Sequence, residues 1–99
     1  MNQHKLEEIL RLHELWLACD EDGKQADLSR ADLSHANLSH ANLRHANVTD
    51  ANLTGANLRY ANLWDANLMD ANLKGADLTG AKLEGAIMQD SVWRKNDKQ

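Results

Sequence analysis

The feature that most constrains the fold is a run of thirteen five-residue units, which fills residues 26–90 without an insertion. Alanine occupies the first place of every unit, Asn or Asp the second place of eleven, and leucine the third place of eleven. A helix needs apolar residues about 3.6 apart and a strand needs them about 2 apart, so neither element alone buries this pattern. A chain that bends after every unit does bury it, because residues two apart point to the same side of an extended segment.

Tandem units of the form Ala-(Asp/Asn)-Leu-x-x resemble those of the pentapeptide-repeat family. The resemblance implies an all-β solenoid, a right-handed four-sided (quadrilateral) parallel β-helix in which each unit forms one side and twenty residues form one coil. It places the first and third residues of each unit inside and the other three outside. Second-place amides such as Asn47 and Asn67 would then lie above one another, and we expect amide ladders along these columns.

The pattern divides the chain into an N-terminal capping helix and turn (1–25), the β-helix (26–90), and a degenerate last unit with a C-terminal tail (91–99). Residues 4–19 are predicted to form an amphipathic helix with Asn2 as its N-cap and Gly23 in the turn that stops it. Trp16 is expected to cover the leucines of the first coil. The predicted cap residues recur at three- and four-residue spacing and are Leu6, Ile9, Leu10, His13, Trp16 and Leu17.

Composition and charge exclude several classes of protein. A net charge of −4 argues against direct binding of nucleic acid, which needs a cationic surface. The single cysteine, Cys19, cannot form an internal disulfide. The longest apolar run is too short to span a membrane, and no secretory signal is recognisable at the N-terminus. We therefore expect a cytoplasmic protein that binds neither nucleic acid nor membrane.

The sequence predicts no catalytic residues, no metal site and no cofactor, and hence a protein that is not an enzyme. His35, His40 and His45 hold the fifth place of consecutive units, which puts them at three different corners of one coil. Metal coordination needs ligands about 2.1 Å from one ion, which separate corners do not supply. The outward serines lack a Gly-rich elbow, and a convex rod offers no pocket that would desolvate a nucleophile.

Six outward residues are candidates for binding a partner: Asp50, Asp70, Asp90, Asp65, Trp64 and Tyr60. The first three aspartates share one corner, where stacked like charges repel one another and a basic partner could relieve that repulsion. An exposed tryptophan could anchor a partner. Two plainer interpretations stay open: the carboxylates only keep the rod soluble, and Trp64 packs beside Arg44 and Glu84.

A rigid rod without catalytic residues is predicted to act in protein–protein interaction, with a partner of unknown identity. Some pentapeptide-repeat proteins act as duplex-DNA mimics that bind DNA gyrase, so a DNA mimic against gyrase or another topoisomerase is the alternative. A purely structural module is the third interpretation. This chain departs from the mimics in having few coils and no Phe, and Arg30 interrupts the acidity of the aspartate corner.

The C-terminal end of the rod has only a nine-residue tail to cover it. We expect two chains to form a homodimer there, because bare strand edges and apolar side chains are a template for further pairing. A two-fold contact closes after one interface and avoids fibres. The predicted dimer interface is Leu83, Met88, Val92 and Trp93. Folding of the tail over Trp93, which gives a monomer, is the alternative.

Overall fold

The computed structural model describes residues 1–89 and residue 91, which form one helix followed by a regular coil. Helix α1 spans Gln3–Leu17. The side-chain oxygen of Asn2 accepts a hydrogen bond from the backbone N–H of Lys5 at 2.7 Å, so the predicted helix and its N-cap are confirmed. Asp90, predicted to bind a partner, lies outside the described residues, as do Val92 and Trp93 of the predicted dimer interface.

Helix α1 ends two residues earlier than the sequence predicts, and Gly23 does not stop it. Ala18 is the C-cap, and Cys19 takes the left-handed conformation at φ 63°. The N–H of Asp20 donates to the carbonyl of Leu15 at 3.0 Å, which satisfies a carbonyl that the last helical turn leaves open. Gly23 has a different role: a Cβ at this position would overlap the backbone of Trp16, so only glycine lets the turn lie this close to α1.

Beyond residue 25 the chain coils with a period of twenty residues. Parallel bridges join second-place residues of successive coils, from Asp27 with Asn47 to Asn67 with Ile87. Four turns fall within each coil, because the first-place N–H of each unit donates to the third-place carbonyl of the unit before it, as Ala31 does to Leu28 at 3.1 Å. The predicted four-sided coil is therefore present. Continuous β-strands are not: within the described residues each side is bridged at a single residue, because a turn follows every third residue.

Every backbone N–H of an inner unit has an acceptor, and the unit 51–55 shows the pattern. The second-place N–H donates back to the preceding coil, while the third- and fifth-place N–H groups donate forward to the next coil. The first-place N–H closes the turn, and the fourth-place N–H donates to the second-place side chain. The acceptors, in chain order, are the carbonyls of Val48, Ala31 and Asn72, the Asn52 Oδ1, and the carbonyl of Lys74. Nearly complete pairing of buried backbone groups is what native folds require.

The second-place oxygen is used inside its own unit, and this corrects the prediction of amide ladders. Asn72 Oδ1 accepts from the N–H of Lys74 at 3.0 Å, and the corresponding bond recurs wherever Asn or Asp holds this place. Side chains of Asn and Asp favour such local bonds two residues along the chain. Among the described residues no amide donates to the amide one coil away. The sequence preference for Asn and Asp thus stabilises corners and does not link coils.

Asn72 is a suitable position at which to test this role. The residue bridged to it in the preceding coil, Asn52, is uncharged, so a carboxylate at position 72 would not face another acid there. Asn72→Ala should lower the free energy of unfolding by about 1 kcal/mol, since the N–H of Lys74 loses its acceptor. Asn72→Asp keeps the acceptor oxygen and should stay within about 0.5 kcal/mol of the wild type. Urea denaturation followed by circular dichroism measures both. Equal losses for the two variants would show that the amide N–H₂ matters and would reinstate the ladder.

The fifth residue of each unit turns the corner in the left-handed region, whatever its side chain. From Arg30 to Gly85 all fifth places have φ between 57° and 76°. Glycine takes this conformation freely, whereas a residue with a Cβ is strained there by about 1 kcal/mol or more. Only four of these corners carry glycine, so the coil imposes the conformation on His, Asp, Arg and Tyr alike. From Arg30 to Asp70 the fifth-place N–H donates to the next coil, and this hydrogen bond holds the corner in place.

The core of the rod is a stack of alanines and leucines from the first and third places, as predicted. Third-place residues from Leu28 to Leu73 are at most 1% exposed. Each buried leucine contributes roughly 1.5–3 kcal/mol. In the last coil Leu78, Leu83 and Met88 are only half-buried. Burial is therefore weakest at the C-terminal end.

Helix α1 closes the N-terminal end mainly through Leu6, which is 1% exposed, with Ile9 and Leu10 packed half-buried against the same core. Leu17 is half-buried at the end of the helix. Trp16 does not cover the leucines as the sequence suggests: it is 37% exposed and stacks on the ring of His13 at a centroid distance of 5.5 Å.

His13 joins the helix to the first coil with both ring nitrogens. Nε2 lies 2.7 Å from the carbonyl of Arg44, and Nδ1 accepts from the N–H of Ala26 at 2.9 Å. Because Nδ1 accepts, the ring is neutral and its proton is on Nε2, which donates to Arg44. The side chain is 0% exposed. Burial lowers the pKa of His13 below its usual range, with a smaller lowering by the charge of His45 and opposing contributions from the Arg44 carbonyl and Glu14.

The lowered pKa of His13 predicts loss of stability in weak acid. The unfolded chain binds the proton at a pH near 6.5 and the folded chain only below that, so stability should fall as pH decreases through about 6.5. His13→Leu leaves the Ala26 N–H and the Arg44 carbonyl without partners, which should cost about 1–3 kcal/mol at pH 7.5. The melting temperature of the variant should then be independent of pH between about pH 7.5 and 5.

Thermal melts across pH for wild type, His13→Leu and the exposed-site control His35→Gln measure this effect. The control should keep the wild-type slope. A second loss of stability, at lower pH, should persist in all three proteins. It comes from Asp77, whose pKa is lowered to about 2 by hydrogen bonds from Thr79 and by the ion pair with Arg59. A wild-type slope in His13→Leu would assign the weak-acid transition to another group.

Candidate protein-binding surface

One side of the rod, which we call the Trp64 face, consists of the units 41–45, 61–65 and 81–85. Their fourth-place residues follow one another up the rod as Arg44, Trp64 and Glu84. The N–H groups of Arg44 and Trp64 are fixed by the amide oxygens of Asn42 and Asn62, at 3.3 and 3.1 Å. The repeat therefore presents these side chains from a rigid backbone.

Trp64 is both exposed and partly held. Its side chain is 45% exposed, and its indole Nε1 donates to Glu84 Oε1 at 3.0 Å. Together with Arg44, Asn62 and Lys82 these residues line an open cleft of about 450 Å³. Trp64 thus lies beside Arg44 and Glu84, as one of the interpretations expected, and much of its ring stays in contact with solvent.

A second cleft, of about 480 Å³, lies where helix α1 meets this face. Arg44 lines both clefts, so it is their shared wall. Trp16 contributes its exposed ring to the second cleft, and the exposed thiol of Cys19 lies there too. This juxtaposition could not be predicted from the sequence, because it depends on where the helix ends relative to the first coil.

Tyr60 occupies the corner just before Trp64 in the chain and is 53% exposed. Its ring stacks on His40, one coil below, with a centroid distance of 5.2 Å and an interplanar angle of 18°. The guanidinium of Arg59 lies 5.7 Å from the ring centre, and it also forms an ion pair with Asp77 at 3.0 Å. Tyr60 is thus oriented by its neighbours, and about half of its surface stays in contact with solvent.

The predicted acidic corner is present in its described part. Asp50 and Asp70 are exposed fifth-place residues on one corner, above Arg30, while Asp90 lies outside the described residues. Asp65 stands on another corner and lies 3.8 Å from His45, as an exposed pair. Such pairs contribute little, typically below about 1 kcal/mol. Of the predicted acids that the structure describes, Asp50 and Asp70 share one corner and Asp65 stands on another, so they form no continuous strip.

The predicted dimer interface is described only in part. Leu83 and Met88 are half-buried at the end of the core, whereas Val92 and Trp93 lie outside the described residues. The homodimer therefore stays a prediction.

Within residues 1–89 and 91, no group of three or more His, Cys, Asp or Glu side chains is close enough to hold a metal ion. In the same part of the chain no helix has the length and apolar character needed to cross a membrane.

Comparison with known proteins identifies the class. The family model described as pentapeptide repeats matches residues 24–50 and 51–90 in eight copies. The chain belongs to the pentapeptide-repeat family. Its members form right-handed quadrilateral β-helices and are generally structural or interaction modules rather than enzymes. A comparison with curated proteins found no match.

Two solved structures are similar to this chain. A pentapeptide repeat protein (Rfr23) from the cyanobacterium Cyanothece 51142 is 44% identical over 75% of this chain and 54% of its own, with a TM-score of 0.60. A pentapeptide repeat protein from the thylakoid lumen of Arabidopsis thaliana is 35% identical over 66% of this chain and 45% of its own, with a TM-score of 0.64. The chain thus spans about half the length of each of these proteins.

Proposed function

We propose that this chain is a non-enzymatic protein-binding module, in which a right-handed β-helical rod presents the Trp64 face to a protein partner. The observation that carries the proposal is the 45% exposure of Trp64 on a rigid side of the rod, next to an open cleft. Tryptophan and arginine are enriched among residues that dominate binding energies. A tryptophan held by one hydrogen bond to Glu84 loses little side-chain freedom on binding, which lowers the entropic cost of association.

The geometry of the rod favours binding over a purely structural role. The buried core consists mainly of the alanines and leucines of the repeat, and the Trp64 ring is not part of it. The exposed aromatic residues Tyr60 and Trp64 lie on adjacent parts of the second coil. Exposed aromatic side chains grouped on one surface are typical of interaction sites.

Affinity capture with three immobilised baits tests this proposal: wild type, Trp64→Ala, and Lys74→Ala on the opposite side of the rod. A partner retained from an extract of the source cells is identified, purified and its dissociation constant measured with each bait. Trp64→Ala should weaken binding about 30-fold, the effect of losing one hot-spot residue, and Lys74→Ala should leave it unchanged. Thermal melts confirm that each bait is folded. Equal affinities for all three baits would exclude the Trp64 face.

DNA mimicry is the alternative, supported by the exposed pair Asp50 and Asp70 on one corner. The described surface gives DNA mimicry less support than the first proposal. Arg30 stands on the same corner as the two aspartates, and the other described corners carry His, Tyr and Gly, with Asp65 as their one acid. A duplex mimic needs a continuous acidic surface, since phosphate charges recur along the whole helix.

A supercoiling assay with DNA gyrase decides between the two candidates. We expect wild-type protein not to inhibit the reaction at about 10 μM, a concentration that would saturate a micromolar complex. Inhibition by the wild type that is lost in the double variant Asp50→Asn/Asp70→Asn would favour DNA mimicry. Asn72→Asp, which adds an acid on a different side, serves as the charge-changing control.

A further inference from the structure

Arg44 has a buried guanidinium nitrogen whose hydrogen bond is not made within the described part of the chain. Its Nε is inaccessible to solvent and lacks an acceptor, although its backbone is bonded at both groups. A buried donor without an acceptor is unfavourable, so such atoms are rare in native proteins and each requires an explanation. Because Nε is inaccessible, an external acceptor would instead meet the terminal Nη groups of Arg44, which line both clefts and make no hydrogen bond within the described part of the chain.

The carboxylates around Arg44 are engaged elsewhere. Glu84, in the first cleft, accepts from the Trp64 indole, and Asp20, in the second cleft, accepts from the N–H of Asp22 at 2.8 Å. Asp65 faces His45. Among the described residues none of these acids lies within ion-pair distance of Arg44. The guanidinium is thus a cation whose own neighbours do not neutralise it.

Two exposed tryptophans flank this cation. Trp64 lines the cleft on one side of Arg44, and Trp16, with Leu17, lines the cleft on the other. Both indole rings are more than one-third exposed. Lys82 adds a second positive charge in the first cleft. Such an arrangement offers a ligand apolar contact from the indole rings and a charge-assisted hydrogen bond from the guanidinium.

We propose that Arg44, with Trp16 and Trp64, binds a protein segment that carries a carboxylate side chain next to aliphatic or aromatic side chains. This deepens the proposed function and rests on it. The carboxylate accepts from the guanidinium of Arg44, and the flanking apolar side chains lie on the two indole rings. The charge of the rod favours this location, because its net charge of −4 repels an acidic segment elsewhere.

Two capped peptides test the proposal: acetyl-Leu-Glu-Leu-amide and its neutral counterpart acetyl-Leu-Gln-Leu-amide. The ¹⁵N–¹H signals of the Arg44 Nε and of the indoles are followed by NMR, with Trp16→Phe and Trp64→Phe used for assignment. The Glu peptide should shift all three signals saturably, with a dissociation constant of about 1 mM, as expected for a small ligand. The Gln peptide should bind at least about tenfold more weakly, since it lacks the charge.

Two variants separate the site from general charge effects. Arg44→Met keeps the apolar part of the side chain and should weaken binding of the Glu peptide at least about tenfold. Arg59→Met removes an arginine that is already paired with Asp77, and it should leave binding unchanged. Melting curves within about 2 °C of the wild type show that the variants are folded, since this corresponds to well under 1 kcal/mol.

Three results would overturn the inference: no saturable shift, equal binding of the two peptides, or unchanged binding by Arg44→Met. Inorganic phosphate is the third ligand tested. If phosphate alone shifts the Arg44 Nε signal and displaces the peptide without affecting the indoles, the site binds small anions and not a peptide segment. If neither peptide binds but a partner is still captured in a way that depends on Trp64, the proposed function stands and only this inference fails. Peptide binding without such capture would contradict the proposed function instead.

Discussion

Register between successive coils is the constraint on which the rest of the structure depends. Each inner unit exchanges backbone hydrogen bonds with the coils before and after it, at its second, third and fifth residues. An inserted residue would move leucines out of the core and break the bonds of a whole side, because the inward places recur every five residues. The thirteen units contain no insertion, and the regular stack of side chains on the surface follows directly from that.

The same register imposes a left-handed corner on each unit from 26 to 85, and this gives the surface its variety. A corner held by the hydrogen bond of its own N–H tolerates residues that would avoid a positive φ elsewhere, such as Tyr60 at 61°. Strained residues persist where the surrounding structure over-determines them. The stability of the buried stack therefore lets the exposed fourth and fifth places differ from unit to unit without a change of fold.

The sequence predicted what depends on periodicity and could not predict what depends on the approach of two elements. The buried third places and the N-cap at Asn2 follow from local patterns and were found. The exposure of Trp16 and the close packing of Gly23 on α1 depend on the angle at which the helix meets the first coil. No repeat encodes that angle. The amide ladder failed for another reason: a bond two residues away in the chain competes better than one to the next coil.

Part of the candidate surface could be predicted for the same reason. Trp64 beside Arg44 and Glu84 follows from the twenty-residue period alone, since all three hold the fourth place of units on one side. The contribution of Trp16 does not, because it comes from the helix. The buried nitrogen of Arg44 has no signature in the sequence, since an outward fourth place predicts a solvated side chain.

Helix α1 is therefore more than a cover for the apolar end of the rod. The imidazole of His13 binds the backbone of Arg44, and its ring supports Trp16 by stacking. One buried side chain thus fixes the position of two residues that line the clefts. Protonation of His13 would weaken the bond to Ala26 and loosen the helix from the first coil, because the protonated ring no longer accepts at Nδ1. Closure of the core and the position of Trp16 beside Arg44 thereby depend on the same pair of hydrogen bonds, so conditions that release the helix also remove the second cleft.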